Sequence, residues 1–546
     1  MAENSKVKIN KKFLIFGVIV LILLVGAYFR FYHVDFPVAG YHNWKETHYL
    51  TEARNFNQDG FFENGFFVPE RDYPDLATNQ LGVHGDTFPT TSVLAAFSFK
   101  IFGETLFAAR LVGILCSLAS VYLMFLIVRK MFKRDDIAYV AAALTAINPL
   151  LIFFSRNVQL MAPALLFMLL GWYYFLDWRE SLRLKTGILT VLFLMLSLLT
   201  KYSFFVILIP ILATFPYKRV IEDIKPNVKN YLLYVLMALP LPLWFIYSRS
   251  VGKASGVMEV GGFVFNFGVL FTSGWFSAMK SYISDNFTLI GFSIAILGLI
   301  LIALINRDHF GNKFTLYYAA GLVPWLVLMG DKLGQHSYHQ TPIAPLMIIL
   351  MSFALVAIGT NLAGIVSSGP SRNYSKYGIL LLMIVLLIIP SATALSRQFD
   401  TQFLGLDVAG DYIKEHSTPE ERILFSRGQS FGVLWHADRK GYGLSTPTLE
   451  QVQQAEERGV TWIFMYQWGL NTLQDSEVTD YITSRYSMEQ VGFLSAGQNS
   501  QLVYILLKKG GTFTIDEVSS FPSQHKVQVK TYEFSKGIVE FSYASK

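Results

Sequence analysis

Long apolar runs recur along the first three-quarters of this chain, and no other feature restricts its fold as much. A hydrocarbon layer about 30 Å thick takes about 20 apolar residues as helix. With no water in the layer, every backbone N–H and C=O has to be satisfied inside the spanning element. Residues 13–30, 106–128, 137–154, 158–176, 186–200, 203–216, 231–248, 288–305, 314–330, 341–360 and 379–395 read as about eleven such segments, several of them short. Composition points the same way. Of 546 residues, 53% are hydrophobic and only 15% charged, whereas a soluble chain needs roughly 25% charged residues to cover its surface. The 46 Phe and 28 Tyr exclude intrinsic disorder, because they carry too much apolar area to stay unfolded. The first run is not read as a cleaved signal, since it is long, follows KVKINKK and lacks a small-residue cleavage site.

Basic residues set the expected orientation. Lys6, Lys8, Lys11 and Lys12, then Arg129, Lys130, Lys133 and Arg134, crowd segments that fall on one side. Arg179, Arg183 and Lys185, then Lys218, Arg219, Lys225 and Lys229, then Arg307, Lys313, Arg372 and Lys376 continue the pattern. The alternate loops are sparse: Arg156, Lys201, Arg249, Lys253, Lys280 and Lys332. This places the N-terminus in the cytoplasm and, after an odd number of spans, the C-terminal region outside, in a plasma (inner) membrane. The net charge of +6 is thus accounted for by topology, not by nucleic acid binding. The single cysteine, Cys116, allows no internal disulfide and no thiolate metal cluster.

Two parts are expected: a membrane domain over 1–396, with a long first outer loop over 31–105, and a soluble extracytoplasmic α/β domain over 397–546. In the outer loop THYLTEARNFNQDG reads as an amphipathic helix closed by Gly60, and VLAAFSFKIFG as an interfacial helix too short to span. A second long outer loop, 249–287, carries Trp275 and Phe276. Beyond 397, residues 405–416 have helical periodicity, as do TLEQVQQAEERG and SEVTDYITSRY. RILFS, VTWIFMYQW and QLVYILL read as buried strands, and KVQVKTYEF and GIVEFSYA alternate with period two. Neither GxGxxG nor GxxxxGK[ST] occurs there, so a nucleotide site has no support.

Polar residues collect on the expected outer side. The first outer loop carries His42, Trp44, Lys45, Glu46, His48, Glu70, Asp72, Asp75, His84 and Asp86. Arg156 and Asn157, then Lys201, then Asp331, Lys332, His336, Tyr338, His339 and Gln340 sit in later outer turns. Carboxylates beside cations at headgroup depth suit a sugar linked to a polyprenyl phosphate. Cations hold the phosphate and stabilise the charge it gains on leaving, and a carboxylate takes the proton of the attacking hydroxyl. Simpler readings exist for each. Glu46 is placed like a carboxylate at a helix start, Lys201 and Arg156 like side chains reaching for headgroups, and His336 and Tyr338 like interfacial anchors. Arg427, Arg439 and Lys440 in the soluble domain read as a solvated surface or as contacts to an anionic acceptor.

These residues carry a resemblance. The order YHNWKETHYLTEARNF, GDTFPTTSVLAAFSFKIFG, FAARLVGILCSLASVYLMFLIVRK, NPLLIFFSRNVQLMAPALLF, LLTKYSF and HSYHQTPIAPL resembles the integral-membrane GT-C glycosyltransferases that use polyprenyl-phosphate sugars. Protein O-mannosyltransferases and the lipid A aminoarabinose transferase belong to that superfamily. The resemblance covers roughly residues 10–395 and implies inverting transfer of a sugar to an extracytoplasmic lipid, glycan or protein. It implies that Glu46 is the base, with His48 as the second candidate, and that Asp86 is a supporting carboxylate. Lys201, Arg156, His336 and Tyr338 are then the donor-phosphate residues. This chain departs from the family where Lys45 stands in place of the first acid of its paired motif. No DxD occurs in the first outer loop, and no cofactor is required; a divalent metal stays possible, although no ligand spacing demands one. Two other classes stay open: a transporter or lipid flippase, and a non-catalytic protein that binds polyprenyl phosphates in envelope assembly.

Overall fold

A computed structural model describes residues 11–63, 65–77, 87–254, 267–305, 308–496 and 499–546. The chain divides into two compact units. The first comprises Met1–Val34, Arg110–Phe245 and Gly261–Leu395, and the second Asp35–Ala109, Ile246–Val260 and Ser396–Lys546.

The first unit is helical. Among the described residues six helices are long and apolar enough to cross a membrane, and up to nine spans result if each bent pair is one. The six are Leu106–Phe132, Met161–Ser181, Val228–Ser248, Phe310–Gln335, Ser337–Val366 and Ser371–Phe399. The expected segment 137–154 falls on a pair, Asp135–Ile147 and Pro149–Arg156, bent by 48°. Asn148 and Pro149 explain the break. Proline removes a backbone donor and disfavours helix at the residue before it, and the Asn148 side chain accepts from Leu151 N at 3.1 Å to cap the second helix. The expected segments 203–216 and 288–305 likewise belong to bent pairs, and 13–30 and 186–200 to shorter apolar helices, Ile15–Phe31 and Leu184–Thr200. Length and composition of the described helices therefore allow six to nine crossings where the hydropathy reading expects about eleven.

A buried arginine ties this bundle together. Arg30, fully buried near the end of the helix Lys11–Phe31, donates to Ser117 Oγ at 2.9 Å, Ala146 O at 2.8 Å, Gly26 O at 3.0 Å and Thr145 O at 3.2 Å. Three helices thus share one guanidinium, whose planar fork matches diverging acceptors. Replacing it with alanine strands those acceptors out of water. Arg30→Ala is expected to cost about 1–3 kcal/mol for each acceptor left unpaired, read as an earlier thermal unfolding transition in detergent. An unchanged transition would show that the fork carries no stability.

The second unit holds a seven-stranded sheet in the order β2-β1-β3-β5-β4-β7-β6. The strands are β1 (Arg422–Phe425), β2 (Gly441–Gly443), β3 (Val460–Tyr466), β4 (Tyr486–Ala496), β5 (Asn499–Lys509), β6 (Val527–Phe534) and β7 (Gly537–Ser545). β1 pairs in parallel with β2 and β3, and every other pairing is antiparallel. Trp462, Phe464 and Tyr466 face one core and Ile463 and Met465 the other. The strand reads as one apolar run because both faces are covered. The helix Leu406–His416 and the short helix Gly432–Ala437 contribute to the first core, and Leu449–Glu457 and Ser476–Thr483 to the second. Thr448 and Gln451 form a reciprocal capping box at the third of these helices. The first core also includes Ala39, with Phe36, Trp44 and Tyr73 packed against it. Residues of the first outer loop are thus built into the same hydrophobic core as the sheet.

Candidate active site

The two units present separate constellations. In the second unit, the helix Asn43–Asp59 starts after His42, at φ 66°, and ends at Gly60, at φ 90°, whose N–H bonds Phe56 O at 3.2 Å. Only glycine takes that terminal conformation at little cost. The sequence pattern predicts an amphipathic helix. Instead nearly every side chain from Asn43 to Phe56 is buried, polar ones included. Buried polar groups need partners, and this helix finds them on distant segments.

His48 lies at the centre. One ring nitrogen, Nδ1, bonds the Tyr73 hydroxyl, and Nε2 lies 2.9 Å from Glu52 Oε1 one turn on. The other Glu52 oxygen accepts from Ser92 Oγ at 2.6 Å, and Ser92 sits on the next helix, Thr90–Phe102. With Glu52 ionised, the network assigns a proton to His48 Nε2 and lets Tyr73 donate to Nδ1. Both ring nitrogens are thereby engaged. Arg54 is a second hub. It pairs with Asp438 at 2.7 Å and Glu104 at 2.8 Å, donates to Trp435 O at 2.9 Å, and lies 4.1 Å over the Trp435 ring. Asp72 is 3.7 Å from the same guanidinium. Burial pushes its carboxyl above the usual range, against the pull of Arg54.

Glu46 occupies the first turn of the same helix and is 3% exposed. Lys45, in the position of the family's first acid, lies 4.4 Å over the Trp44 ring and 5.9 Å over that of Tyr49. Asp86 and His84 lie outside the described residues.

In the first unit, three turns named from sequence come together. Arg156 ends the helix Pro149–Arg156, is 3% exposed, and donates through Nη1 to His33 O at 2.9 Å. Lys201 follows the helix Leu184–Thr200, and its ammonium lies 5.1 Å over the ring of Tyr202. Tyr202 opens a 3-10 segment, Tyr202–Ile207, which packs on a second one, Ser337–Ile343. The indole of Trp325 donates to Ser203 O at 2.8 Å and fixes the first of these segments. Tyr338 is buried. Its ring stacks on His336 at 5.2 Å and meets Phe154, two residues before Arg156, edge-on at 5.7 Å. Lys201, Arg156, His336 and Tyr338 are therefore carried by mutually packed segments of one unit.

Asparagines hold those segments in place. Asn148 Nδ2 donates to Asn286 O at 3.1 Å, and Asn286 Nδ2 donates to Ser337 O at 3.0 Å and Gln340 Oε1 at 2.8 Å. Sequence reasoning missed Asn148 and Asn286, although an Asn-Pro pair inside an apolar run is a legible cap signal. It also missed Glu52, whose i+4 spacing from His48 was readable, and Tyr73 and Ser92, which no local pattern links to it. Among the described residues no group of three His, Cys, Asp or Glu could hold a metal ion.

Residues 86–245 match the family model of dolichyl-phosphate-mannose-protein mannosyltransferase. No curated protein matches the chain by sequence. Among solved structures, ArnT from Cupriavidus metallidurans bound to undecaprenyl phosphate is 13% identical with a TM-score of 0.56, over 90% of this chain and 98% of that one. The archaeal oligosaccharyltransferase AglB from Archaeoglobus fulgidus, in complex with an inhibitory peptide and a dolichol-phosphate, is 12% identical with a TM-score of 0.54, over 90% of this chain and 74% of that one. By fold the chain is similar to these two solved proteins, and its segment 86–245 matches the mannosyltransferase family model.

Proposed function

We propose that the chain transfers a sugar from a polyprenyl-phosphate-linked donor to an extracytoplasmic lipid, glycan or protein acceptor, with inversion. The observation that supports this reading is the packing of the Lys201, Arg156 and His336–Tyr338 segments against one another within one helical unit, segments that carry two cations and an imidazole. In the proposed step an acceptor hydroxyl oxygen attacks the anomeric carbon. The bond from that carbon to the phosphate oxygen breaks, and the departing polyprenyl phosphate keeps the electron pair. Lys201, Arg156 and His336 stabilise the charge it gains, Tyr338 shapes the imidazole's setting, and Glu46 takes the hydroxyl proton. Asp86 is assigned as a supporting carboxylate. Attack opposite the leaving group inverts the anomeric centre. A phosphate ester departs without a strong general acid, so one base and the cations suffice, and the step as written calls on no cofactor.

The same reading takes the N-terminus as cytoplasmic, the C-terminal domain over 397–546 as extracytoplasmic, and the plasma (inner) membrane, crossed about eleven times, as the location. His48 is assigned a positioning role, through its bonds to Tyr73 and Glu52.

Native purification tests the donor class. Mass spectrometry of the co-purified lipids is expected to find a polyprenyl phosphate or its glycoside enriched over the bulk membrane, with the glycoside mass reporting the sugar. Ordinary phospholipids alone, together with failure to bind added polyprenyl-phosphate sugars, would overturn the reading.

A further inference from the structure

The strand order β2-β1-β3 creates a topological switch point. The chain leaves β1 for β2 on one side and then passes back to β3 on the other. In open α/β sheets, ligands bind in the crevice outside the carboxyl ends of the strands at such a point. Here the segments that follow the two strands at that point are Ser426–Ser430 after β1 and Gln467–Gly469 after β3, both in the second unit.

Several observations show that these loops are built rather than incidental. Ser426 Oγ accepts from Tyr466 N at 3.0 Å, and the Trp468 indole donates to Arg427 O, so each loop fixes the other. A Cβ on Gly469 would lie 1.7 Å from Ser426 Oγ, and Gly428 sits at φ +98° against the Trp468 ring. The close approach therefore requires glycine at 469 and the backbone turn favours it at 428. The loop after β1 also reaches the helix that carries Glu46. Asn43 Nδ2 donates to Gln429 O at 2.8 Å, one turn before Glu46. Two polar oxygens here are fully buried yet make no hydrogen bond among the described residues: Ser430 Oγ and Asn43 Oδ1. Such groups are costly when left unpaired, a cost that a hydroxyl of a ligand reaching them relieves. At the crevice mouth, Arg427 is exposed and makes no ion pair with any described residue, and Trp468 is only partly buried.

We propose that this crevice binds an acidic glycan, with Trp468 as a platform for a sugar ring and Arg427 as the partner of a carboxylate. A guanidinium takes a carboxylate in a planar, bidentate fork. The indole, held by Tyr466 and Phe403 at ring-centroid distances of 4.8 and 6.0 Å, keeps a partly exposed apolar surface, and Gln429 and Gln467 offer amides to hydroxyls. Calling this glycan the acceptor rests on the transferase reading, but the site itself does not.

Full-length protein in lipid nanodiscs, titrated calorimetrically without donor, tests this. The acidic probe is hyaluronan tetrasaccharide and the neutral one chitotetraose. The wild type is expected to prefer the acidic probe. Arg427→Gln, at an exposed position, is expected to erase that preference. Trp468→Ala weakens the acidic probe about tenfold or more, and Trp468→Phe, which keeps a ring, by about threefold or less. Failure of the wild type to bind the acidic probe, or equal binding by the wild type, Arg427→Gln and Trp468→Ala, would overturn the proposal. The Glu46→Gln protein separates the two readings. Glycan binding that persists in it and in the wild type, with no turnover by either, supports this site and removes the transferase reading.

Discussion

With Glu46 as the proposed base, Glu46→Gln is expected to lower turnover by roughly 10²–10⁴-fold, the usual contribution of a positioned general base, and to leave the protein folded. The substitution keeps the shape of a side chain that is 3% exposed and removes its ability to take a proton. It loses kcat and kcat/KM together, with donor binding unchanged, because the proton moves only as the acceptor attacks. His48 supplies the contrast. Removing its ring leaves Glu52 and Tyr73 without their bonds to it inside a buried helix, at about 1–3 kcal/mol for each stranded group. His48→Ala is therefore read first in the unfolding transition, and Glu46→Gln in the transfer assay. If Glu46→Gln retained full transfer in a purified reaction while His48→Ala lost it at unchanged stability, the two roles would have to be exchanged.

How much of this was legible beforehand depends on the range of the signal. Strands β1, β3 and β5 were readable because burial on both faces writes a continuous apolar run. The hairpin partner β4 was not. Its pairing with β5 shifts register between Met488 and Gln490 and again between Gly492 and Phe493, and such irregularities erase the period-two pattern on which a strand reading depends. β2 spans only Gly441–Gly443, too short to leave a pattern. The helices Asn43–Asp59 and Thr90–Phe102 were found, helped by Gly60 and Gly103 at their ends, but the environment of the first was misread. A helix of polar residues looks solvated until its partners are known, and those of Arg54 and Asn43, at Asp438 and Gln429, lie hundreds of residues away in sequence. The same limit hid the Asn148–Asn286–Gln340 brace. What local pattern does carry is the list of turns. Lys201, Arg156, His336 and Tyr338 were named from their places between apolar runs, and their segments pack together.

Lys201→Ala reduces transfer by roughly 10²–10³-fold, the usual loss when one group facing the developing charge is removed. Of the residues assigned to the donor phosphate, this lysine gives the cleanest test. Arg156 is buried and bonds His33 O, so its removal perturbs structure as well as charge. Tyr338 is buried between Phe154 and His336, so its loss disturbs packing. Lys201 is only partly buried, and its backbone N–H bonds Ser197 O at 2.8 Å whatever its side chain. Its ammonium therefore reports on electrostatics. The leaving phosphate carries more negative charge in the transition state than in the bound donor, so a cation that acts on departure lowers kcat when it is removed. One that only holds the donor raises KM and spares kcat. Lys201→Arg keeps the charge but not the compact geometry, and is expected to fall between alanine and wild type. Equal activity in all three proteins would take the phosphate away from this turn, and with it the argument that the Lys201, Arg156 and His336 segments are packed together for that purpose.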